Sequence, residues 1–371
     1  MTTNAPSPVR VAHIIYGLGI GGLEQLVVGL SSRGHEQGIA SSVISFGPDG
    51  PLRGVLRDHR ISLTHLGDIA GMRPGMVRRL ASALNDSGTQ VAHAHDLGPW
   101  LNATLTRTLR PRMNVVATFH QLLEPRGAKR LVAIAAARAT HSLVACGSEV
   151  HDEIRSWAPR GRSAEVITIG NGVTIPTPSS MQERARIRKQ MGLPSRAIAI
   201  GYLGRLHEEK GPQILIEAFR RKFAGSEQVH LVVIGGGPLE KSLRRDAQDL
   251  PNVHFMGEVA SGASELLQGM DLYAQASIRE GRSLSLLEAM GAGLPTVAHR
   301  LPAIAEIHTS ATALLVPPRD IDAFGTALDQ LVSNQSLRHA MGEAARRRAE
   351  LYSADTMTAD YAALYRKAAR G

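Results

Sequence analysis

The chain has 371 residues, 43% hydrophobic but only 4% aromatic, and its 42 Lys+Arg against 33 Asp+Glu give a formal net charge of +9. Single cores stop growing at roughly 250 to 300 residues, so this length asks for two domains, and ample Val, Ile, Leu and Ala exclude intrinsic disorder for most of the chain. One cysteine, Cys146, rules out a disulfide framework and a thiolate metal cage.

Short runs rich in Val and Ile alternate with helical patterns. Val9–Tyr16, Ser42–Phe46, Ile61–Leu66, Gln90–Ala94, Val115–Phe119, Ser142–Cys146 and Glu165–Ile169 read as strands, with helical stretches such as Leu23–Arg33, Met76–Asn85 and Ser148–Trp157 between several of them. Near-continuously apolar strands in this rhythm predict a parallel sheet covered on both faces. At Gly170 the rhythm breaks into a Pro/Ser-rich linker and then restarts. Ala197–Leu203, Val229–Ile234, Val253–Met256, Leu272–Gln275, Pro295–Ala298 and Ala313–Val316 are the second set of strands. Helices are expected over Pro212–Lys222, Leu239–Gln248, Leu284–Gly291 and Ala323–Leu331, and the Ala- and Arg-rich tail from Ser336 to Arg370 reads as helical. The expected fold is α/β, with two doubly wound domains at 1–175 and 176–353 and a last helix over 354–371 that packs back on the first domain.

The N-terminus MTTNAPSPVR lacks the apolar core of a signal peptide, and the longest apolar window, Leu131–Cys146, is broken by Arg138 and His141. The expectation is a cytoplasmic chain that does not span a membrane. Residues 1–175 hold 18 basic and 12 acidic side chains, a net +6, and residues 176–371 hold 24 and 21, a net +3. Clusters such as Arg107, Arg110, Arg112 and Arg126, Lys129, Arg130 suit phosphate-rich partners or anionic headgroups, and suit a solvated basic surface equally well. No basic stripe is interleaved with stacking aromatics, which sets nucleic acid aside.

Two glycine loops follow strands and open helices. Gly17, Gly19 and Gly22 match G-x-G-x-x-G, in which glycines let backbone N–H groups approach a pyrophosphate at a helix N-terminus. The second strand ends Ser45-Phe46-Gly47 without the acidic residue that a nicotinamide dinucleotide's ribose wants, so a loop lining phosphate or substrate is the better reading, with a plain tight turn beside it. Gly235-Gly236-Gly237-Pro238 is the second loop.

Four features fall in order after the linker: Gly204-Arg205 to Lys210-Gly211 at a strand end, the triple glycine, His254 to Glu258, and Glu280 with Glu288 eight positions on. Two cations can neutralise a departing nucleoside diphosphate, and two carboxylates can accept hydrogen bonds from vicinal hydroxyls of a ribose and a sugar. No D-x-D cluster for Mg²⁺ or Mn²⁺ is present. Taken singly, Arg205 and Lys210 are ordinary surface cations and Glu288 a solvated helix residue; the order and spacing of the set argue otherwise.

The runs GRLHEEKG, IGGGPL and EGRSLSLLEAMGAGLPTVA resemble the nucleotide-sugar domain of glycosyltransferase family 4, retaining enzymes of the GT-B fold, in which two Rossmann-like domains face a central cleft. In the first half GLGIGGLE resembles the family's G-G-x-E loop, VAHAHD its H-x-H strand end, ATFH its catalytic-histidine strand and GNGV its hinge. The resemblance implies a donor diphosphate on Arg205 and Lys210, donor-sugar hydroxyls on Glu280 and the ribose on Glu288. It implies further that His120 lines the reaction centre, that Gly21, Gly22, Gly236 and Gly257 border the donor, and that the N–H groups of Leu284 and Ser285 cap the phosphate. The leaving phosphate then helps deprotonate the acceptor hydroxyl in a front-face displacement, and no side-chain nucleophile is needed. His93 and His95, on one face of a strand, are expected on the acceptor side, with no metal and no cofactor beyond a UDP- or GDP-sugar co-substrate.

Expected partners are that donor, a glycan, lipid-linked or small-molecule acceptor, and an anionic membrane surface met by the Arg107–Arg130 segment. Two departures border the implied sugar pocket: Arg282-Ser283 follows Glu280-Gly281, and Leu301 to Ala305 precede Glu306 without the family's Gly-Gly. Two rivals stay open here, a nicotinamide-dependent oxidoreductase using the first glycine loop and a family member that binds glycan or a partner without turnover. Cys146, Trp100 and Trp157 are expected to be packing residues.

Overall fold

The computed structural model describes residues 7–19, 21–47, 49–67, 74–159, 164–259 and 262–370. The chain divides into two compact units, Met1–Gly172 with Ala354–Gly371, and Val173–Ser353.

The first unit carries seven parallel strands, β1 (Val9–Ile15), β2 (Ile39–Ser45), β3 (Ser62–His65), β4 (Val91–His95), β5 (Asn114–Phe119), β6 (Ser142–Ala145) and β7 (Glu165–Thr168). Their order is β3-β2-β1-β4-β5-β6-β7, so the chain reverses its winding direction between β1 and β4. On one face of this sheet Trp100, Phe119, Cys146 and Trp157 join one apolar cluster, with Trp100 edge-on to Phe119 at 5.1 Å, in keeping with packing roles. The helix Ala354–Arg370 contacts β1, β4 and β5, which buries Tyr361 and Tyr365.

The second unit carries six parallel strands, β8 (Ile198–Leu203), β9 (Val229–Ile234), β10 (Val253–Gly257), β11 (Leu272–Gln275), β12 (Thr296–His299) and β13 (Ala313–Val316). Their order is β10-β9-β8-β11-β12-β13, with the reversal between β8 and β11. Helix starts follow local chemistry: Pro212 takes a first-turn position that needs no N–H, and the Ser180, Asp320 and Asn334 side chains accept from Glu183, Ala323 and Leu337. Both sheets are doubly wound, and the sequence-predicted strands coincide with the observed ones to within a few residues. In such sheets ligands bind beyond the carboxyl ends of the strands, at the reversal point. Each unit places its most unusual polar side chains there.

Candidate functional site

In the second unit the segment after β8 is held by the triple-glycine loop. Gly235 and Gly237 have φ of 134° and 151°, and a Cβ on them would stand 2.0 Å from the Gly204 carbonyl oxygen and 2.6 Å from that of Leu206. Only glycine permits that approach. The Leu206 N–H donates to the Gly236 carbonyl at 2.8 Å, the Leu239 N–H donates to the Leu206 carbonyl at 3.1 Å, and the Gly257 carbonyl accepts from Gly235 at 2.8 Å. Arg205, on this braced turn, is exposed, and among the described residues no carboxylate pairs with it.

Lys210, also after β8, meets Glu280, after β11, so their pair spans the reversal point. Its Nζ lies 2.7 and 2.8 Å from the two Glu280 carboxylate oxygens. Gln275 and Ser277 also donate to Glu280 Oε1, at 2.6 and 2.8 Å. The Glu280 side chain is 4% exposed, and its burial is matched by donors from three residues. Ser283 caps the helix Leu284–Gly291 by accepting from Leu286, and the Ser285 hydroxyl bonds to Ser283 and Gln275. The backbone N–H groups of Leu284 and Ser285, in the first turn, have no acceptor inside the helix.

Glu288 sits one turn along that helix. Burial raises its carboxyl to about 7, and among the described residues no group donates to it. Glu280 and Glu288 both face Tyr273, whose hydroxyl is pushed up first by burial and further by the two carboxylates. Of the two departures from the family pattern, Arg282 pairs with Glu306, the acid that Leu301 to Ala305 precede, at 2.6 Å, its guanidinium 5.3 Å from the Tyr352 ring centroid.

In the first unit Gly21 precedes the helix Gly22–Arg33 as its N-cap, with Glu24 in the first turn. The other features are histidines. Strand register pairs His13 with His93 and His95 with Thr118, so all four side chains share the face covered by the helix Ala354–Arg370. His93 Nδ1 lies 2.6 Å from the Tyr365 hydroxyl and its Nε2 2.7 Å from Thr118 Oγ1, which is 2.9 Å from the Tyr361 hydroxyl. His13 Nδ1 lies 3.3 Å from His95 Nε2, and His95 Nδ1 lies 3.3 Å from His120 Nε2. Burial lowers all four imidazoles, His13 to about 3; for His120 the Asp96 charge and a hydrogen bond with Asn171 oppose the shift only in part. The cluster is therefore neutral near pH 7. Asp96, with φ of 65°, accepts the His120 backbone N–H at 3.2 Å, a strained conformation of the kind that collects at functional edges.

His93 and His95, expected from the sequence on the acceptor side, lie buried within the first unit. They are 0% and 1% exposed, so no acceptor touches them without displacing the rings and hydroxyls above, and the side chain of this set that reaches the partly exposed edge is His120. The pair also has a companion that its spacing did not show. His13 brings a third imidazole, with ligand atoms of the three within 4.8 Å of one another, although both nitrogens of His93 already face hydroxyls. Period-2 reading of β1 against β4 is the signal that could have found it. In the basic segment, Arg107, Arg110 and Arg130 donate to backbone carbonyls and Arg126 pairs with Glu124, so much of that charge is engaged locally. Among the described residues no helix is long and apolar enough to cross a membrane.

Two doubly wound parallel sheets with this reversal-point chemistry define the GT-B class, and HepE from Anabaena, in a crystal structure with UDP and glucose, superposes with a TM-score of 0.84 at 19% identity, covering 97% of this chain and 100% of that one. Residues 20–175 match the family described as Glycosyltransferase Family 4, and residues 183–348 match Glycosyl transferases group 1. The chain belongs to this glycosyltransferase family. Relatives include D-inositol 3-phosphate glycosyltransferase of Corynebacterium jeikeium, 32% identical over 57% of this chain and 53% of that protein. Phosphatidyl-myo-inositol mannosyltransferase of Mycobacterium leprae is 29% identical over 77% of each. The chain thus spans about half the length of the first of these.

Proposed function

We propose that this protein is a retaining, metal-independent glycosyltransferase that moves a hexosyl group from a UDP- or GDP-sugar to an acceptor hydroxyl in glycan, polysaccharide or glycolipid assembly. The observation that carries the reading is the unsatisfied polar set at the reversal point of the second sheet. Among the described residues, an exposed Arg205 without a carboxylate, the Leu284 and Ser285 N–H groups without acceptors inside their helix and a Glu288 carboxyl without donors are what a nucleoside diphosphate supplies with phosphate oxygens and a ribose diol. Lys210 reaches the same place from its pair with Glu280, ready to share its charge between carboxylate and phosphate. Glu280 then accepts donor-sugar hydroxyls, and His120 lines the reaction centre.

Relatives named for inositol phosphate and phosphatidyl-myo-inositol favour an acceptor whose hydroxyls ride on a phosphate or a lipid. Leu131 and Val132 are 70% and 43% exposed beside Arg126 and Lys129, which suits an acceptor presented at an anionic membrane surface. The deciding experiment is a panel of sugar nucleotides with inositol phosphates, phosphatidylinositol vesicles and oligosaccharides as acceptors, read as nucleoside diphosphate release. Transfer with one donor that falls in Glu288→Ala supports the reading. Thermal stabilisation by NAD and by no sugar nucleotide overturns it.

A further inference from the structure

The first unit holds a chain of rings of which the transferase reading uses only the last: His13 to His95 to His120, linked by two nitrogen–nitrogen contacts of 3.3 Å. Only the last ring reaches the partly exposed edge, and His13 and His95 are 0% and 1% exposed. Among the described residues His13 Nε2, which is buried, has no partner.

That orphan atom sets the direction of the whole chain. A neutral imidazole has one N–H and one bare nitrogen. Buried N–H groups without acceptors are rarer than bare acceptors, so His13 keeps its proton on Nδ1 and donates it to His95 Nε2. His95 must then carry its own proton on Nδ1 and donate it to His120 Nε2. With Nε2 filled as an acceptor, neutral His120 is left with its proton on Nδ1. An isolated neutral histidine prefers the other tautomer, with the proton on Nε2, so the chain works against intrinsic preference. His93 holds the chain in place without joining it, its ring centroid 4.1 Å from that of His95 and both its nitrogens bonded to hydroxyls.

We propose that His13 and His95 are positioning residues for His120, fixing it in the tautomer with its proton on Nδ1, a donor shared between the Asn171 side chain and the reacting groups. This rests on the transferase reading for what His120 faces. A neutral donor suits a hydroxyl or phosphate oxygen, and it leaves the acceptor's proton to the departing phosphate. Protonating His120 would set its new Nε2–H against the His95 Nδ1–H, and turning the chain round would strand an N–H at His13 Nε2. The arrangement keeps His120 neutral and oriented, as outer hydrogen bonds orient ligand histidines, where their loss typically costs about 10- to 100-fold in affinity or activity.

The test reads tautomers directly. Long-range proton–nitrogen spectra of the ¹⁵N-histidine full-length protein, with His120 assigned by the signal lost in His120→Gln, should show its proton on Nδ1. In His95→Leu and His13→Leu that proton should move to Nε2. His95→Leu should lower kcat about 10- to 100-fold with the sugar-nucleotide KM within about twofold, and His95→Asn, whose amide N–H replaces the Nδ1 donor, should recover most of the rate. If either Leu variant fails to fold, the wild-type spectrum and the Asn variant still decide. His120 carrying its proton on Nε2 in the wild type, or Asn and Leu variants equally slow, overturns the proposal. So does one tightly held zinc per chain that His13→Leu loses, because 3.3 Å also fits the nitrogen–nitrogen edge of a tetrahedral zinc site. The spectra need no turnover, so an Nδ1–H His120 in a protein that transfers no sugar would sink the transferase reading and leave the chain standing.

Discussion

At the carboxyl end of its sheet the first unit buries neutral rings, whereas the second buries charge. His13, His93 and His95 are held uncharged by burial and bonded to hydroxyls or to one another, with His13 Nε2 left over. Lys210, Gln275 and Ser277 converge on the buried Glu280 carboxyl. Neutral networks respond to which atom carries a proton and little to salt, and ionic ones respond to pH, charge removal and ligand charge. On the proposed reading the ionic set is the one suited to a charged leaving diphosphate, and the neutral set to an acceptor hydroxyl.

The largest break in this contrast comes from Lys210→Ala. It strips the cation from a carboxylate that is 4% exposed, and losing one partner of a buried pair costs about 3 kcal/mol even when other donors remain. Turnover should fall about 1,000-fold or more, since on the proposed reading the same cation meets the diphosphate. Denaturant titration and nucleoside diphosphate release check the two effects. The double change Lys210→Met with Glu280→Gln should restore most of the stability and none of the activity; a double variant as unstable as Lys210→Ala would place the damage elsewhere.

Glu288→Gln gives the next largest effect, and its sign depends on pH. The folded carboxyl is raised from 4.5 to about 7, so ionising it costs folding free energy, absent below about pH 4.5 and growing as pH rises toward 7. At pH 8 the variant should be more stable than the wild type by about 2 to 3 kcal/mol, taking 1.36 kcal/mol per pH unit as the ceiling. At pH 4 the difference should vanish. Donor kcat/KM should drop roughly 30-fold, because the neutral amide no longer accepts both ribose hydroxyls. Equal stability at both pH values would show that Glu288 has a partner.

Much of this was legible in the sequence. Strands of continuous Val and Ile alternating with helices fix the doubly wound plan; the second glycine loop was visible after its strand, but the close backbone approach at Gly235 and Gly237 is seen only in the structure. The pairing of Lys210 with Glu280 was hidden, since 70 residues separate them and only the β8/β11 reversal brings them together. So was the helix Met181–Gln190, whose run of Arg, Glu and Lys shows no apolar stripe. Its Arg184 and Arg188 instead share Asp271, at 2.8 and 3.1 Å, and that acid also accepts the Ala199 N–H. His13 was missed because a lone histidine on a strand signals nothing until register sets it beside His93.

Arg205→Ala separates binding from folding. The side chain is exposed and lacks a carboxylate, so stability should change by less than about 0.5 kcal/mol. The sugar-nucleotide KM should rise about tenfold, and the salt dependence of donor binding should flatten as one phosphate contact is lost. A variant with unchanged KM and salt slope would move the diphosphate away from this loop.

The smallest effect sharpens the contrast within the first unit. Tyr365→Phe removes the hydroxyl 2.6 Å from His93 Nδ1 and leaves that nitrogen buried without its partner, which costs about 1 to 2 kcal/mol. Because His93 touches His95 by ring contact and donates nothing along the route to His120, turnover should stay within about twofold. Burial, not the Tyr365 hydroxyl, keeps these imidazoles neutral, so the pH profile should not move either. Denaturation and kcat measured together decide it. A Tyr365→Phe protein as slow as His95→Leu would mean that the helix Ala354–Arg370 reaches His120 through His93, and that the rings act as one undivided network.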